Sequence, residues 1–156
     1  MVLRPPFRCP VAVYADASLE EVIGPAIGDR SWALVTSRSW AEKKLDRRIA
    51  AAASDPVAVI SRVDPNPMVS GLPALSAEVP DVDVIVALGG GSVLDAAKGM
   101  VALKALDGDL GPLEAHLGEG AALPSRMRPI SIIAVPTTSG TGSEVTPWGT
   151  LWGDDG

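Results

Sequence analysis

The 156-residue sequence is poor in the side chains that build disulfides and metal sites, with one cysteine, Cys9, and one histidine, His116. A single cysteine cannot form an internal disulfide, which favours a reducing compartment. A single histidine falls far short of the ligand set that a transition-metal site needs. We therefore expect His116 to be a surface or helix-end residue and expect no metal ligands in this chain.

The sequence also lacks long apolar segments and an excess of basic charge. No apolar run approaches the length that crosses a membrane, and the chain does not open on a basic-then-apolar signal. The net charge is −6 and the pI is near 4.7, which argues against binding to the phosphate backbone of nucleic acid. We expect a cytoplasmic protein that has neither nucleic acid nor membrane as a partner.

The sequence does contain a regular alternation of apolar, β-rich runs and helix-like stretches. Strands are predicted at residues 11–14, 32–36, 57–61, 82–88, 130–135 and 148–152. Helices are predicted at residues 18–27, 39–53, 92–105 and 110–117, with a short one after 66. This alternation predicts one α/β domain over residues 1–156, with a Rossmann-like, mainly parallel sheet and flanking helices.

Three helix starts are predicted from capping residues. Ser18 with Glu21, and Ser39 with Glu42, have the spacing of a capping box, in which each side chain bonds the other residue's backbone N–H. The pair at residues 66–67 reads as an asparagine N-cap followed by proline at the first helical position.

A glycine loop, residues 89–92, joins the most apolar predicted strand to a predicted helix. Its three glycines place no Cβ between the backbone and a ligand, and the free N–H groups of a helix start favour an anion. Asp95 can cap this helix or accept a hydrogen bond from a ribose hydroxyl, and Lys98 can pair with it. The pattern is neither G-x-G-x-x-G nor a P-loop, and a tight turn without a ligand is the alternative.

A polar loop, residues 137–144, follows the predicted strand at 130–135. It carries five hydroxyl groups, on Thr137, Thr138, Ser139, Thr141 and Ser143. Hydroxyl groups donate hydrogen bonds to phosphate and ribose. Because parallel strands end at the same edge of a sheet, both loops are expected at one ligand-binding edge. The pair predicts a ligand that carries phosphate and ribose, and a dinucleotide fits two loops better than a mononucleotide.

Residues 89–98, Gly-Gly-Gly-Ser-Val-Leu-Asp-Ala-Ala-Lys, resemble the GGGSxxDxAK signature of the iron-containing (group III) alcohol dehydrogenases. Residues 136–144, Pro-Thr-Thr-Ser-Gly-Thr-Gly-Ser-Glu, are similar to that family's PTTxGTGSE loop, and residues 65–67 resemble its upstream Pro-Asn-Pro segment. The resemblance covers essentially the whole chain as the family's N-terminal domain. The resemblance implies a helical C-terminal domain that holds the metal through one aspartate and three histidines, and we expect that domain to be missing from this chain. We expect the chain to be truncated, with the turn signal at 154–156 left without a returning strand.

The resemblance implies reversible hydride transfer between NAD or NADP and a small alcohol–aldehyde or alcohol–ketone pair. A divalent metal, iron or zinc, would polarise the substrate oxygen from the missing domain. No catalytic residue is expected in this chain, which should be inactive alone and part of a homo-oligomer. The alternative is a standalone nucleotide-binding module without catalysis. The implied cofactor-binding residues are Asn66, Gly90, Gly91, Ser92, Asp95, Thr137, Thr138, Thr141 and Ser143.

One departure from the family bears on the choice of cofactor. Many members have an aspartate after the strand that corresponds to residues 32–36, where it binds the adenosine ribose. Here Ser37 and Arg38 follow that strand, and a guanidinium group suits the 2′-phosphate of NADP. NADP is therefore favoured, and an arginine exposed to solvent without a cofactor role is the alternative.

Overall fold

The computed structural model describes residues 11–15, 17–43, 45–124 and 130–153. Cys9 and the predicted turn at 154–156 lie outside the described residues. Within the described ranges, no helix is both long enough and apolar enough to span a bilayer. The helices and strands, in chain order, are α1 (Leu19–Ile27), β1 (Trp32–Thr36), α2 (Arg38–Glu42), α3 (Leu45–Ala52), β2 (Ala58–Ile60), α4 (Leu72–Ala77), β3 (Val84–Gly89), α5 (Gly91–Ala105), α6 (Leu110–Glu119) and β4 (Ser131–Pro136).

The four described strands form one parallel sheet in the order β2-β1-β3-β4. Every residue of β1 and β3 is buried, whereas β4 at the edge is only partly buried. Continuous apolar strands of this kind need helices on both faces of the sheet. The predicted Rossmann-like α/β fold with a parallel sheet and flanking helices is confirmed.

The core divides into two layers because alternate residues of a strand point to opposite faces. On one face, Ala33 and Val35 of β1 belong to a cluster with residues of α4 and α5, including Leu72 and Leu94. On the other face, Trp32 and Leu34 pack with residues of α1 and α3, including Ile23, Ile27 and Ile49. The 15-residue α5, which follows the glycine loop, has seven buried residues that pack into the core.

Two predicted strands are wrong. Residues 11–14 form no strand, and Val13 and Tyr14 are 65% and 66% exposed. The run at 148–152 contributes only an isolated parallel bridge between Trp152 and Met68. An apolar run forms a strand only where a neighbouring strand pairs with its backbone N–H and C=O groups. Among the described residues, no strand lies beside either of these two segments.

The predicted helix starts have mixed outcomes. The capping box of α1 is confirmed, with Glu21 N donating to Ser18 Oγ at 3.3 Å and Ser18 N donating to Glu21 Oε2 at 3.1 Å. The second capping box is wrong, because α2 begins at Arg38 and the Ser39 hydroxyl bonds the Ser37 hydroxyl instead. The predicted single helix at 39–53 is divided into α2 and α3.

The helix predicted to start at residues 66–67 is also wrong. Asn66 has a φ of 53°, in the left-handed region, and no helix begins at this residue. The chain instead forms a 3-10 turn at Val69–Gly71 directly before α4.

Candidate functional site

The glycine loop and the polar loop meet at the carboxyl edge of the sheet. Their parent strands, β3 and β4, are hydrogen-bonded neighbours whose register pairs Gly89 with Pro136. One residue further on, Thr137 N donates to Gly89 O at 2.9 Å. The two loops therefore leave adjacent strands side by side, as expected for the ligand-binding edge of an open α/β sheet.

The loops approach each other so closely that two positions of the glycine loop have little room for a side chain. A Cβ on Gly90 would lie 3.1 Å from Thr138 Oγ1, and a Cβ on Gly91 would lie 3.1 Å from Thr141 Cγ2. Gly90 itself has a φ of −78°, so its backbone needs no left-handed conformation. Close packing between the loops therefore favours glycine at these two positions, in addition to any close approach of a ligand.

The segment at 65–67 joins the site through α5. Asn66 N donates to Ser92 Oγ at 3.3 Å, and Ser92 lies in the first turn of α5. This contact places the exposed Asn66 beside the glycine loop, although 26 residues separate it from Ser92 in the chain. The structure therefore brings the predicted residues Asn66 and Ser92 together with the two loops.

Asp95 bonds the polar loop and does not cap its own helix. Ser143 Oγ donates to Asp95 Oδ1, and Thr150 N donates to Asp95 Oδ2 at 3.0 Å. The N-cap of α5 is Gly90, which has no side-chain cap, so the predicted capping role of Asp95 is wrong. Its contact with a ribose hydroxyl stays a prediction, and both carboxylate oxygens already have a partner in the structure.

Lys98 lies beside Asp95 and bonds the same segment. Its ammonium Nζ donates to Ser143 O at 2.7 Å, to Ser143 Oγ at 3.1 Å and to the Trp148 carbonyl oxygen. The predicted i,i+3 pair is confirmed, with Lys98 Nζ 3.8 Å from Asp95 Oδ1. Burial lowers the pKa of Lys98 below the usual lysine value, and the Asp95 and Glu144 carboxylates partly offset this effect.

Sequence patterns did not indicate that Lys98 and Asp95 hold residues 143–150. The bonds join residues 45 to 55 positions apart, and two of the partners are the backbone groups Trp148 O and Thr150 N. Every residue has a backbone carbonyl group and every residue except proline has an N–H, so side-chain types along the sequence carry no signal for these contacts.

Among the residues that the structure describes, two buried side-chain oxygens of the polar loop have no hydrogen-bond partner, namely Thr137 Oγ1 and Glu144 Oε2. Buried polar atoms are nearly always hydrogen-bonded in native proteins, so each such exception needs an explanation. A hydroxyl group donates one hydrogen bond and accepts others. Thr137, a predicted cofactor-binding residue, thus has an unused donor where the two loops meet, which fits a polar ligand at this edge.

A third segment ends at the same edge of the sheet. Thr36, the last residue of β1, is buried and its Oγ1 donates to Leu88 O at 2.7 Å. Ser37 and the exposed Arg38 follow directly at the start of α2. Arg38 therefore follows β1, which is the sheet neighbour of β3, the strand that precedes the glycine loop.

His116 lies at the C-terminal end of α6, where its Nδ1 is 2.6 Å from Ala121 O. The expected helix-end position is confirmed. Across residues 11–15, 17–43, 45–124 and 130–153, no group of three or more His, Cys, Asp or Glu side chains is placed to hold a metal ion. The described residues thus do not fit the divalent metal that the resemblance implies.

The parallel sheet, its flanking helices and the two adjacent loops define a Rossmann-like α/β domain. A protein-family model described as "Iron-containing alcohol dehydrogenase" matches residues 12–156. The chain belongs to the iron-containing alcohol dehydrogenase family.

Two relatives of this chain are named as a reductase and a dehydrogenase. The chain is 34% identical over 139 residues to phosphonoacetaldehyde reductase of Streptomyces viridochromogenes, an alignment that covers 85% of this chain and 31% of that protein. It is 37% identical over 133 residues to 4-hydroxybutyrate dehydrogenase of Cupriavidus necator, with 83% and 34% covered. The chain thus spans about a third of the length of these relatives.

Solved structures show the same relationship. Sulfoacetaldehyde reductase from Bifidobacterium kashiwanohense, solved in complex with NAD⁺, matches with a TM-score of 0.67 and 30% identity, covering 82% of this chain and 33% of that one. An alcohol dehydrogenase from Oenococcus oeni matches with a TM-score of 0.68 and 25% identity, covering 86% and 36%.

Proposed function

We propose that the chain binds a nicotinamide dinucleotide across the glycine loop and the polar loop. In this proposal it is the cofactor-binding part of a metal-dependent alcohol dehydrogenase or aldehyde reductase. The observation that carries the proposal is the contact of the two loops at one sheet edge, where Thr137 N donates to Gly89 O at 2.9 Å. The NAD⁺ complex of the similar sulfoacetaldehyde reductase supports a nicotinamide cofactor.

Different residues of this edge have different tasks in the proposed site. The unpaired N–H groups at the start of α5, near Gly91 and Ser92, favour the negative charge of the pyrophosphate. The exposed hydroxyl groups of Thr138 and Thr141 donate to phosphate or ribose, and the unpartnered Thr137 hydroxyl adds another donor. The exposed Asn66, whose N–H bonds the Ser92 hydroxyl, lies beside this helix start.

Asp95 and Ser143 bond each other, so we assign them a supporting task. They hold the polar loop against α5, and the loop backbone then presents its hydroxyl groups to the cofactor. This differs from direct contact with the cofactor, which the resemblance implies for both residues.

The bound cofactor would supply or accept a hydride, with a small alcohol or aldehyde as the reaction partner. The names of the relatives, which include phosphonoacetaldehyde reductase and 4-hydroxybutyrate dehydrogenase, support a small oxygen-bearing substrate. We assign the divalent metal, iron or zinc, to residues outside this chain, because the described residues do not assemble a ligand set.

Cofactor binding is measured directly by calorimetric titration of the purified protein with NADH and with NADPH, at one salt concentration. We expect saturable binding of at least one of the two, and binding of neither contradicts the proposal. An assay with added iron or zinc, cofactor and short aldehydes examines the location of the metal. Metal-dependent turnover by this chain alone would show that its own residues complete the active site.

A further inference from the structure

The segment that contains the polar loop has little regular structure of its own. From Thr137 to Gly153 the described chain forms no helix or strand, apart from the single bridge at Trp152. Left-handed glycines occur within it, with φ of 93° at Gly140 and 64° at Gly142. Because a segment without a hydrogen-bonded ladder has many accessible conformations, contacts with other elements must select the observed one.

Those contacts come largely from one face of α5. Lys98 donates to two carbonyl groups, of Ser143 and Trp148, while Asp95 accepts from the Ser143 hydroxyl and from Thr150 N. The bonds fall at Ser143 and again at Trp148 and Thr150, so they hold the segment at two separated points. A lysine ammonium has three donors, and its three acceptors here match that number.

The position of Lys98 along α5 links the two loops. Lys98 lies seven residues after Gly91, or roughly 10 Å along the helix axis. The helix begins at the glycine loop and is anchored in the core by residues such as Leu94 and Met100, which are 1% and 0% exposed. Any group bonded to Lys98 therefore has a fixed place relative to the glycine loop.

Because Lys98 is largely buried, its ammonium group must have hydrogen-bond acceptors within the protein. The Lys98 and Asp95 side chains are only 21% and 14% exposed. Taking an ammonium group out of water is costly unless acceptors replace the lost water contacts. The lowered pKa of Lys98 agrees with this loss of solvent. A side chain of similar length without the charge would leave the carbonyl groups of Ser143 and Trp148 without this donor.

We propose that Lys98 is a positioning residue that, with Asp95, clamps residues 143–150 onto α5 and thereby sets how tightly the nicotinamide dinucleotide binds. The proposal rests on the proposed function, because it assumes that the two loops hold the cofactor together. Lys98 acts through the polar loop in this account and does not touch the cofactor.

The experiment compares the wild-type protein with Lys98→Met, which keeps the length of the stem and removes charge and donors. Lys104→Met is the charge-matched control near the other end of the same helix. Ile27→Val is the stability-matched control, because Ile27 is buried on the opposite face of the sheet. Dissociation constants for NADH and NADPH are measured well below each melting temperature, together with amide hydrogen exchange of peptides that cover 141–152.

We expect Lys98→Met to bind the cofactor at least roughly tenfold more weakly. The reason is that the variant loses the charge-assisted hydrogen bonds that order the polar loop. Exchange should accelerate in peptides 141–152 and not in α1 or β3. Both controls should bind within about twofold of wild type, a change of only a few tenths of a kcal/mol. A purely structural role would lower the melting temperature of Lys98→Met and leave its dissociation constant unchanged.

Wild-type affinity in a folded Lys98→Met protein would overturn the proposal, whether or not its exchange accelerates. If Lys98→Met does not fold, Lys98→Gln, which keeps a neutral donor, is measured in its place under the same criteria. If the wild-type protein binds neither cofactor, the proposed function fails separately. The exchange comparison then decides by itself whether Lys98 holds the loop.

Discussion

The glycine loop and the polar loop meet at one edge of the sheet but are held in place in different ways. The glycine loop connects the fully buried β3 to the 15-residue α5, so regular structure on both sides determines its course. The polar loop follows the half-exposed β4 and leads into a segment without helix or strand. Its course depends on side chains from elsewhere, above all Lys98 and Asp95.

Two loops of one site can therefore have separate sources of order. A loop between a strand and a helix inherits its position from their hydrogen-bonded ladders and buried faces. A loop that lacks such a neighbour must be fixed by individual tertiary contacts, each of modest energy. The polar loop should therefore respond to single substitutions in other elements, whereas the glycine loop should respond mainly to changes within itself.

The largest effect is expected from Gly91→Val, which disturbs both loops at once. Even a Cβ at this position would lie 3.1 Å from Thr141 Cγ2, so the branched side chain must displace the polar loop and cover the helix start. We expect cofactor affinity to fall by about a hundredfold or more, equivalent to roughly 3 kcal/mol or more. Calorimetric titration measures the affinity, and a thermal melt reports the fold.

Gly118→Val is the matched control for that substitution, because a Cβ at Gly118 in α6 meets no atom within 4 Å. It adds the same side chain to a helix far from the loops in sequence and should leave cofactor affinity unchanged. Wild-type affinity in a folded Gly91→Val protein would show that the cofactor does not bind at this loop.

The segment after β1, which contains Arg38, lies at the same edge of the sheet as the two loops. Arg38→Ala removes an exposed guanidinium group, and we expect a preference for NADPH over NADH to fall by roughly tenfold or more. Dissociation constants for both cofactors at one salt concentration provide the measurement, with Arg47→Ala in α3 as the control. A wild-type preference for NADH would contradict the NADP assignment and leave Arg38 as a solvent-exposed residue.

Ser143→Ala disturbs the polar loop alone. Ser143 is 6% exposed, and its hydroxyl donates to Asp95 and accepts from Lys98. Loss of a buried donor to a carboxylate should lower the free energy of unfolding by about 1–3 kcal/mol. Urea denaturation measures this change. The exposed Ser139 supplies the control Ser139→Ala, and equal stabilities of the two variants would argue against the bond to Asp95.

The smallest effect is expected from Ser18→Ala, which touches neither loop. It removes the confirmed capping box of α1, and such substitutions cost about 0.5–2 kcal/mol of stability. Cofactor affinity should stay at the wild-type value, because α1 packs on the far layer of the core with α3. A weakened affinity in this variant would show that global stability, and not loop geometry, controls binding.

Much of the fold could be predicted because its signals are local. The strands near 32–36, 82–88 and 130–135 are apolar runs between turn residues, and the helix at 92–105 follows its glycine loop directly. The two wrong strands are cases in which a distant partner decides the outcome. The run at 148–152 was predicted as a strand, yet within the part of the chain that the structure describes its only ladder contact joins Trp152 to Met68.

The site shows the same division. The residue types in the two loops, three glycines before a helix and five hydroxyl groups after a strand, indicated a ligand-binding edge. The parallel arrangement of the strands also predicted that both loops lie at one edge. The bonds from Lys98 to the carbonyl groups of Ser143 and Trp148 were not visible, because they join groups that lie 45 or more residues apart.

By itself, the sequence determined the alternation of strands and helices, the two loops and the family to which the chain belongs. These follow from residue periodicity and from short motifs, whose physics acts over a few neighbouring residues. Only the tertiary structure decided that Asp95 bonds Ser143 and Thr150 instead of capping α5. Both geometries satisfy a carboxylate, and the choice between them depends on which donors the folded chain brings within reach.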